Sequence, residues 1–460
     1  MVFVNDREKF IESVKKEVER RVRADERDSV LDFVDLLLCR FPLEDLQGRE
    51  ITDIFGVLYA VWNSLQSFDK QAPKVAIYNP TMELHGWRSR HTVIQVVSKD
   101  VAFLVGSIMG ELNSRNITIH SIHNTVVHTV RDEQHRLIKV TDHNHQDAEQ
   151  AAEALVYMEI TQSSGAYLDE LADVLNAVIR EVDVVVSDFQ AMGQRGDAAL
   201  AELQALQPEP GEREQVEESI DFMKWLFVNH FTALGYLQLV LDDGRATLDP
   251  ACHLGLARLG YQLDLEICND LLSKQQGQGD PIQFGRFRFQ SRVHRRAYPD
   301  LILVWRFDDS GVLLGAHCFM GLFTSAVHTG SVYNIPLVRH KLNNIMTRAG
   351  YEQNSHNGRE IVRIHETFPR GELFCSDEDT LLAITKDIFR MRERRQVRLF
   401  VMIDNVFGFV SCLVYVPRNW YHTALRKKLQ GILSDALGST DVNMTTYISE
   451  SVLARVHFMF

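Results

Sequence analysis

Residues 91–130 read HTVIQVVSKDVAFLVGSIMGELNSRNITIHSIHNTVVHTV, and the apolar period changes twice within them. His91–Ser98 is a β-branched run, which suits a pleated, half-buried strand. From there Val101, Val105, Ile108 and Leu112 recur on one helical face, with Asp100 placed to cap the segment. Asn116 suits a left-handed stop. Ile117–Val130 returns to extended chain, and its apolar phase switches between Ile119 and Ile122, which predicts a bulge or bend.

The pattern continues downstream. Polar residues to Gln150 read as a loop, Ala154–Thr161 as a strand, and Tyr167–Val182 as a helix with Leu171, Val174, Leu175 and Val178 inward. Strand, helix, strand, strand, helix is most of a βαββαβ unit, in which two helices cover one face of an antiparallel sheet. The other face is then expected to be left for a partner. Upstream, Phe10, Val14 and Val18 repeat at helical spacing, then Val30, Val34, Leu37 and Leu38 before Pro42. Ile51, Ile54, Phe55, Leu58, Val61, Trp62 and Leu65 form a further apolar stripe that has to pack on something.

Beyond the unit, residues 207–218 (QPEPGEREQVEE) have the composition of a linker. A helix is predicted over Ser219–Gly235, with Met223, Leu226, Phe227, His230 and Phe231 on its inner side, and a strand over Tyr236–Leu241. Leu301–Phe307 and Val312–Phe323 are apolar runs joined by Asp308-Asp309-Ser310-Gly311, a hairpin signal. A helix-flanked antiparallel sheet of about a hundred residues follows from these, compatible with a sensor-type PAS-like domain. Helical pattern resumes at Leu337–Ala349 and Asp377–Arg394. Val397–Phe460 reads strand, strand, helix, strand, strand, its helix carrying Tyr421, Leu425, Leu429, Ile432 and Ala436 in register. Phe460 falls inside an apolar strand (Val452–Phe460), as though the sequence were cut there.

The expected fold is α+β and multidomain. It comprises an amino-terminal helical motif (1–90), a first ferredoxin-type βαββαβ domain (91–190), a helical linker with the PAS-like domain (191–335), a second helical motif (336–395) and a truncated second βαββαβ-type unit (396–460). At roughly 150 residues per domain, the 460-residue length fits about three cores.

Net charge is −13 and the pI about 5.8, which disfavours nucleic acid as a bulk partner. Cys39, Cys252, Cys268, Cys318, Cys375 and Cys412 form no Cys-x-x-Cys pair, and several lie in apolar runs, as buried reduced thiols of a cytoplasmic protein would. Met1–Arg20 lacks the apolar core of a signal peptide, and no stretch has the roughly 18 uncharged apolar residues of a membrane span.

His120, His123 and His128 invite a zinc site. On an extended strand, however, His120 and His123 point to opposite faces and His128 lies about 17 Å beyond His123. His135, His143 and His145 read as solvated loop residues. Gly285–Arg296 (GRFRFQSRVHRR) alternates Arg with Phe as an RNA-binding strand might. An amphipathic strand with Phe287 and Phe289 inward and Arg286 and Arg288 in solvent explains it as well, and Arg392, Arg394 and Arg395 read as a solvated helix end. Gly277-Gln278-Gly279 lacks the third glycine of a dinucleotide cradle, and neither a phosphate-binding loop nor a nucleophile elbow occurs. Asp308/Asp309 and Glu217/Glu218 fall in a turn and at a helix start. No residue is therefore assigned a catalytic, cofactor-binding or metal-ligating role. An effector carboxylate is expected at the strand-to-helix turn, on Lys99, Asp100, Phe103 and Gly106, where a helix amino terminus offers N–H groups and Gly106 admits close approach. Capping by Asp100 and tight packing at Gly106 is the structural alternative.

Asn79-Pro80-Thr81, His85-Gly86-Trp87, His91–Val97 and Phe103-Leu104-Val105 resemble the start of the large-type bacterial NAD-specific glutamate dehydrogenases. So do Asn229–Tyr236, Ser291–Tyr298, Leu322–Ser325, Glu393–Val401 and Phe409–Arg418, in order to the end of the sequence. Two positions depart from the family pattern: Ala102 stands for Pro and Gly106 for Asp. The resemblance implies ACT-type domains, helical motifs and a PAS-like domain in a regulatory and oligomerisation region. It also implies a carboxyl-terminal catalytic domain beyond Phe460 that converts L-glutamate, NAD and water to 2-oxoglutarate, ammonia and NADH. It implies no cofactor in this chain, homo-oligomeric assembly and an amino-acid effector. Two other readings stay open: a stand-alone amino-acid-sensing ACT/PAS-like regulator, and a metal- or RNA-binding protein.

Overall fold

The computed structural model describes residues 2–39, 49–66, 68–69, 72–141, 151–208, 210–242, 244–275, 280–308, 310–391, 394–448 and 451–460. They divide into two units, residues 1–187 with 291–297, and residues 188–290 with 298–460.

In the first unit, helices α1 (Val2–Arg21), α2 (Arg27–Leu38) and α3 (Ile51–Gln66) precede strand β1 (Lys74–Tyr78) and a single turn, α4 (Met82–His85). Strand β2 (Thr92–Lys99), helix α5 (Leu104–Ser114), strands β3 (Ile119–Arg131), β4 (Leu137–Thr141) and β5 (Ala151–Ile160), and helix α6 (Gly165–Ser187) follow. The antiparallel sheet has the order β1-β2-β5-β3-β4. Because successive strand residues face opposite ways, the alternation of β2 and β5 feeds two cores. Ile94, Val96, Val156 and Met158 pack with Leu104, Ile108 and Leu112 of α5 and Leu171, Leu175 and Ile179 of α6. Val93, Val97, Leu155 and Tyr157 pack with Val30, Phe33, Leu58 and Trp62 of α2 and α3. Each fully buried aliphatic side chain is worth about 1.5–3 kcal/mol, so neither face stays open for long.

The face expected to be left for a partner is therefore covered by this chain's own helices, including the Ile51–Leu65 stripe. The anticipated bulge is present, since the β3–β5 register shifts between Ile119 and Ser121. Asn116 adopts φ 57°, as a left-handed stop requires. Asp100 is not the cap: the helix starts at Leu104 behind Phe103, which stands at φ 69°. Strand β4 replaces part of the expected loop, and its Leu137 and Val140 pack against the core shared with α2 and α3. The rest of that loop, with His143 and His145, lies outside the described residues.

The second unit opens with α7 (Phe189–Ala205) and α8 (Arg213–Leu226), so a helix begins inside the expected linker. Helix α8 stops at Leu226 rather than Gly235: Asn229 takes φ 62°, and Phe231 is already the first residue of a strand. Strands β6 (Phe231–Asp242), β7 (Arg245–Leu248), β8 (Leu254–Gly255), β9 (Ile282–Arg286), β10 (Asp300–Phe307) and β11 (Leu313–Phe323), with helix α9 (Leu265–Gln275), form the expected helix-flanked antiparallel sheet. Its order is β7-β6-β11-β10-β9, with β8 paired to β6. The β10–β11 turn closes through the Asp308 carboxylate, which accepts from the N–H groups of Ser310 and Val312; Asp309 lies outside the described residues.

Helices α10 (Ser325–Thr329), α11 (Val338–Ala349), α12 (His356–Thr367), α13 (Arg370–Cys375) and α14 (Glu378–Met391) lead to a last sheet. There β12 (Arg398–Asp404), β13 (Phe409–Pro417), helix α15 (Thr423–Leu437), β14 (Asn443–Tyr447) and β15 (Leu453–Met459) give the order β12-β13-β15-β14. Cys412, Val414, Val456 and Phe458 form the core under α15 with Leu425, Leu429 and Leu433.

Candidate functional site

The expected effector residues do not share one environment. Lys99 and Asp100 are exposed at the end of β2. Phe103 and Gly106 meet a common neighbour, the segment Ser291–Ala297, which belongs to the first unit. The His294 ring lies 4.8 Å from the Phe103 ring, and the His294 N–H donates to Ser107 Oγ at 2.9 Å. A Cβ built at Gly106 would stand 3.5 Å from the His294 carbonyl oxygen, so a backbone does approach this glycine. Arg292 ion-pairs with the buried Glu181, and Arg296 donates to the buried Glu111 at 2.6 Å. Arg292 and Arg296 of GRFRFQSRVHRR thus serve as counter-ions, whereas Arg288 donates to the Phe407 carbonyl oxygen. Within this segment the expected strand ends at Arg286, which is buried and bonded to Glu372 at 3.0 Å rather than solvated. Burial pushes the His294 imidazole below its ordinary value, with Arg295 adding to the shift.

A second feature of this unit was missed in the sequence. A cleft of about 630 Å³ is lined by Arg49, Glu50, Asp53, Val57, Trp87, Arg88, Ser89, Arg90, His91 and Glu159. It lies on the α1–α3 face of the sheet, since Glu159 shares the side of Leu155 and Tyr157. Glu159 is buried, and its two carboxylate oxygens accept from Arg49 at 2.6 and 2.9 Å. The Tyr157 hydroxyl donates to the same carboxylate at 2.7 Å. Burial alone would raise the Glu159 pKa, but the Arg49 and Tyr157 hydrogen bonds outweigh it and hold the group below its usual value. His91, lowered by burial and then by His120, stacks on His120 at 4.2 Å.

The cleft's other wall is a loop pinned at one residue. Trp87 is buried among the helices, and it fills the space where a Cβ at Gly56 of α3 would stand, only 2.3 Å from its ring. The Arg88 N–H donates to Asp53 Oδ1 at 3.2 Å, and the His91 N–H to Ser89 Oγ at 3.0 Å. Arg88 and Arg90 themselves are exposed, and among the described residues no carboxylate pairs with either guanidinium. Their spacing around Ser89 was the available signal. What hid the site was Arg49 and Glu159, 110 residues apart in sequence.

Ser411, His457 and Glu372 in the second unit are the residue types of a nucleophilic triad. Ser411 Oγ and the Glu372 carboxylate, however, both face Nε2 of His457, at 2.7 and 3.8 Å, so the ring cannot relay a proton between them. Among the described residues no three His, Cys, Asp or Glu side chains are arranged to hold a metal ion, and no helix is long and apolar enough to cross a membrane.

Three family models match this architecture: the glutamate dehydrogenase ACT1 domain over residues 33–175, helical motif 1 over 335–394 and the ACT2 domain over 398–460. The chain belongs to the family of large NAD-specific glutamate dehydrogenases. It is 39% identical over 459 residues to the NAD-specific glutamate dehydrogenase of Halomonas elongata, covering 98% of this chain and 28% of that protein. The Pseudomonas aeruginosa protein of the same name is 35% identical over 436 residues, covering 93% of this chain and 27% of the relative. That of Mycobacterium tuberculosis is 28% identical over 374 residues, covering 80% of this chain and 22% of the relative. The chain thus spans about a quarter of the length of these dehydrogenases.

Proposed function

We propose that this chain is the amino-terminal regulatory and oligomerisation region of an NAD-dependent glutamate dehydrogenase. In this reading the oxidation of L-glutamate by NAD and water to 2-oxoglutarate, ammonia and NADH takes place in a carboxyl-terminal catalytic domain. The carrying observation is the pair of strand–helix–strand–strand units matching the ACT1 and ACT2 models, both built on antiparallel sheets. Nucleotide cradles of the dehydrogenase kind stand instead on parallel sheets, at the carboxyl ends of the strands. NAD belongs to the whole enzyme in this reading, and the chain acts in the cytoplasm as part of a homo-oligomer. Lys99, Asp100, Phe103 and Gly106 form the effector position, where an amino acid competes with His294 for the turn.

The test compares the purified 460-residue chain with the full-length natural protein in a glutamate-dependent NAD reduction assay. Turnover by the long protein alone is the expected result. Turnover by the short chain that a substitution within it abolishes overturns the reading.

A further inference from the structure

We propose that the cleft between α3 and the Gly86–His91 loop is a binding site for a small carboxylate, held by the guanidinium groups of Arg88 and Arg90. The inference rests on the regulatory reading above but places a ligand on the opposite face of the sheet from the Phe103–Gly106 turn.

Six observations carry it. The cleft, at about 630 Å³, lies in the size range of sites for small molecules. Its floor is preorganised, because Arg49 and Tyr157 satisfy Glu159 and leave it no need of a further cation. Its rim carries two arginines that no described carboxylate neutralises, and the guanidinium fork matches a carboxylate's two oxygens. The loop that holds them is fixed at Trp87 against Gly56, so little order has to be gained when a ligand arrives. The amino terminus of α3 begins at Ile51 on the same wall, adding the positive end of a helix dipole. Glu50 and Asp53 also line the cleft, so a carboxylate that carries an ammonium group finds a partner for both charges.

The site is tested by calorimetric titration of the 460-residue chain with succinate, with L-aspartate and with inorganic phosphate. Arg88 and Arg90 are exposed and make no ion pair among the described residues, so Arg88→Ala, Arg90→Ala and the double variant should fold as the parent does, which circular dichroism checks. At least one carboxylate is expected to bind more tightly than phosphate. Each single substitution is expected to weaken it about tenfold or more, and the double variant to abolish the heat. Tighter binding of L-aspartate than of succinate assigns the ammonium to Glu50 and Asp53; equal binding assigns recognition to the carboxylate alone. No heat at roughly 10 mM of either carboxylate, phosphate binding as tight as theirs, or binding unchanged in the double variant overturns the proposal. Carboxylate binding that survives the double variant yet is lost in Gly106→Val also overturns the cleft, while leaving the regulatory reading intact. That reading fails separately, by the turnover assay.

Discussion

Strands β1 and β12 hold the same place in two sheets built to one plan. Each precedes the central strand, pairs with it antiparallel, and aims apolar side chains at the face that a helix covers. Val75 and Ile77 stand opposite Val96 and Ile94, and helix α6 packs over them. Leu399, Val401 and Ile403 stand opposite Val414, Cys412 and Val410, yet they are 48%, 45% and 63% exposed. Only α15 lies on that face among the described residues, and it packs over β13, β15 and β14. Equal strand order and register therefore do not make equal cores. The second helix decides whether the edge strand is half-buried or exposed.

The largest expected contrast between the two units is on acidification. Burial lowers His317, His365 and His457 of the second unit to about 4, from an ordinary 6.5. Between these values the unfolded chain binds protons that the folded unit refuses, so stability falls as pH drops through the window and is regained above about 6.5. Each histidine costs the fold about 2 kcal/mol by about pH 5. Amide hydrogen exchange at about pH 7 and pH 5 should show the second unit loosening first, because His91 and His294 of the first unit are less enclosed. Equal loosening of both units would break the contrast.

The next test bears on the edge strands. Ile77→Asp should cost about 2–4 kcal/mol, because the carboxylate is forced beneath α6. Val401→Asp should cost about 0.5 kcal/mol or less, because its site is wet. Denaturant unfolding of both variants measures the gap, and a similar loss in the two would mean that β12 is shielded in solution. A further test is at the anchor of the arginine loop. Gly56→Ala drives a methyl into Trp87 and should cost on the order of 1–3 kcal/mol, with a change in tryptophan fluorescence. An unperturbed variant would show that the loop is not pinned there.

The period changes of residues 91–130 located β2, α5 and β3 because each segment is long and faces a continuous core. Even the bulge at Ile119 was visible, as a phase switch. Strand β1 and the helical layer over the second sheet face were not resolved as parts of one sandwich, since periodicity tells that a face is apolar and not what will cover it. The end of α8 is hidden in the sequence because Phe227, His230 and Phe231 keep helical spacing through the left-handed Asn229. Alternation alone makes Arg286 solvated, because its partner, Glu372, is 86 residues away. The turn residues Phe103 and Gly106 were legible as a local irregularity, whereas the arginine cleft depended on partners brought together only by folding.

Ser291–Ala297 belongs to the first unit although more than a hundred residues separate it from Ser187. During synthesis, at about 5–20 residues per second, the nascent first unit waits on the order of ten seconds for that segment to emerge. Throughout that interval Glu111 and Glu181 are without Arg296 and Arg292, the arginines that the segment brings to them in the finished fold. The first unit reaches its final charge balance only after the first stretch of its neighbour, residues 188–290, has been translated, so the two units are interleaved in the order in which they are made.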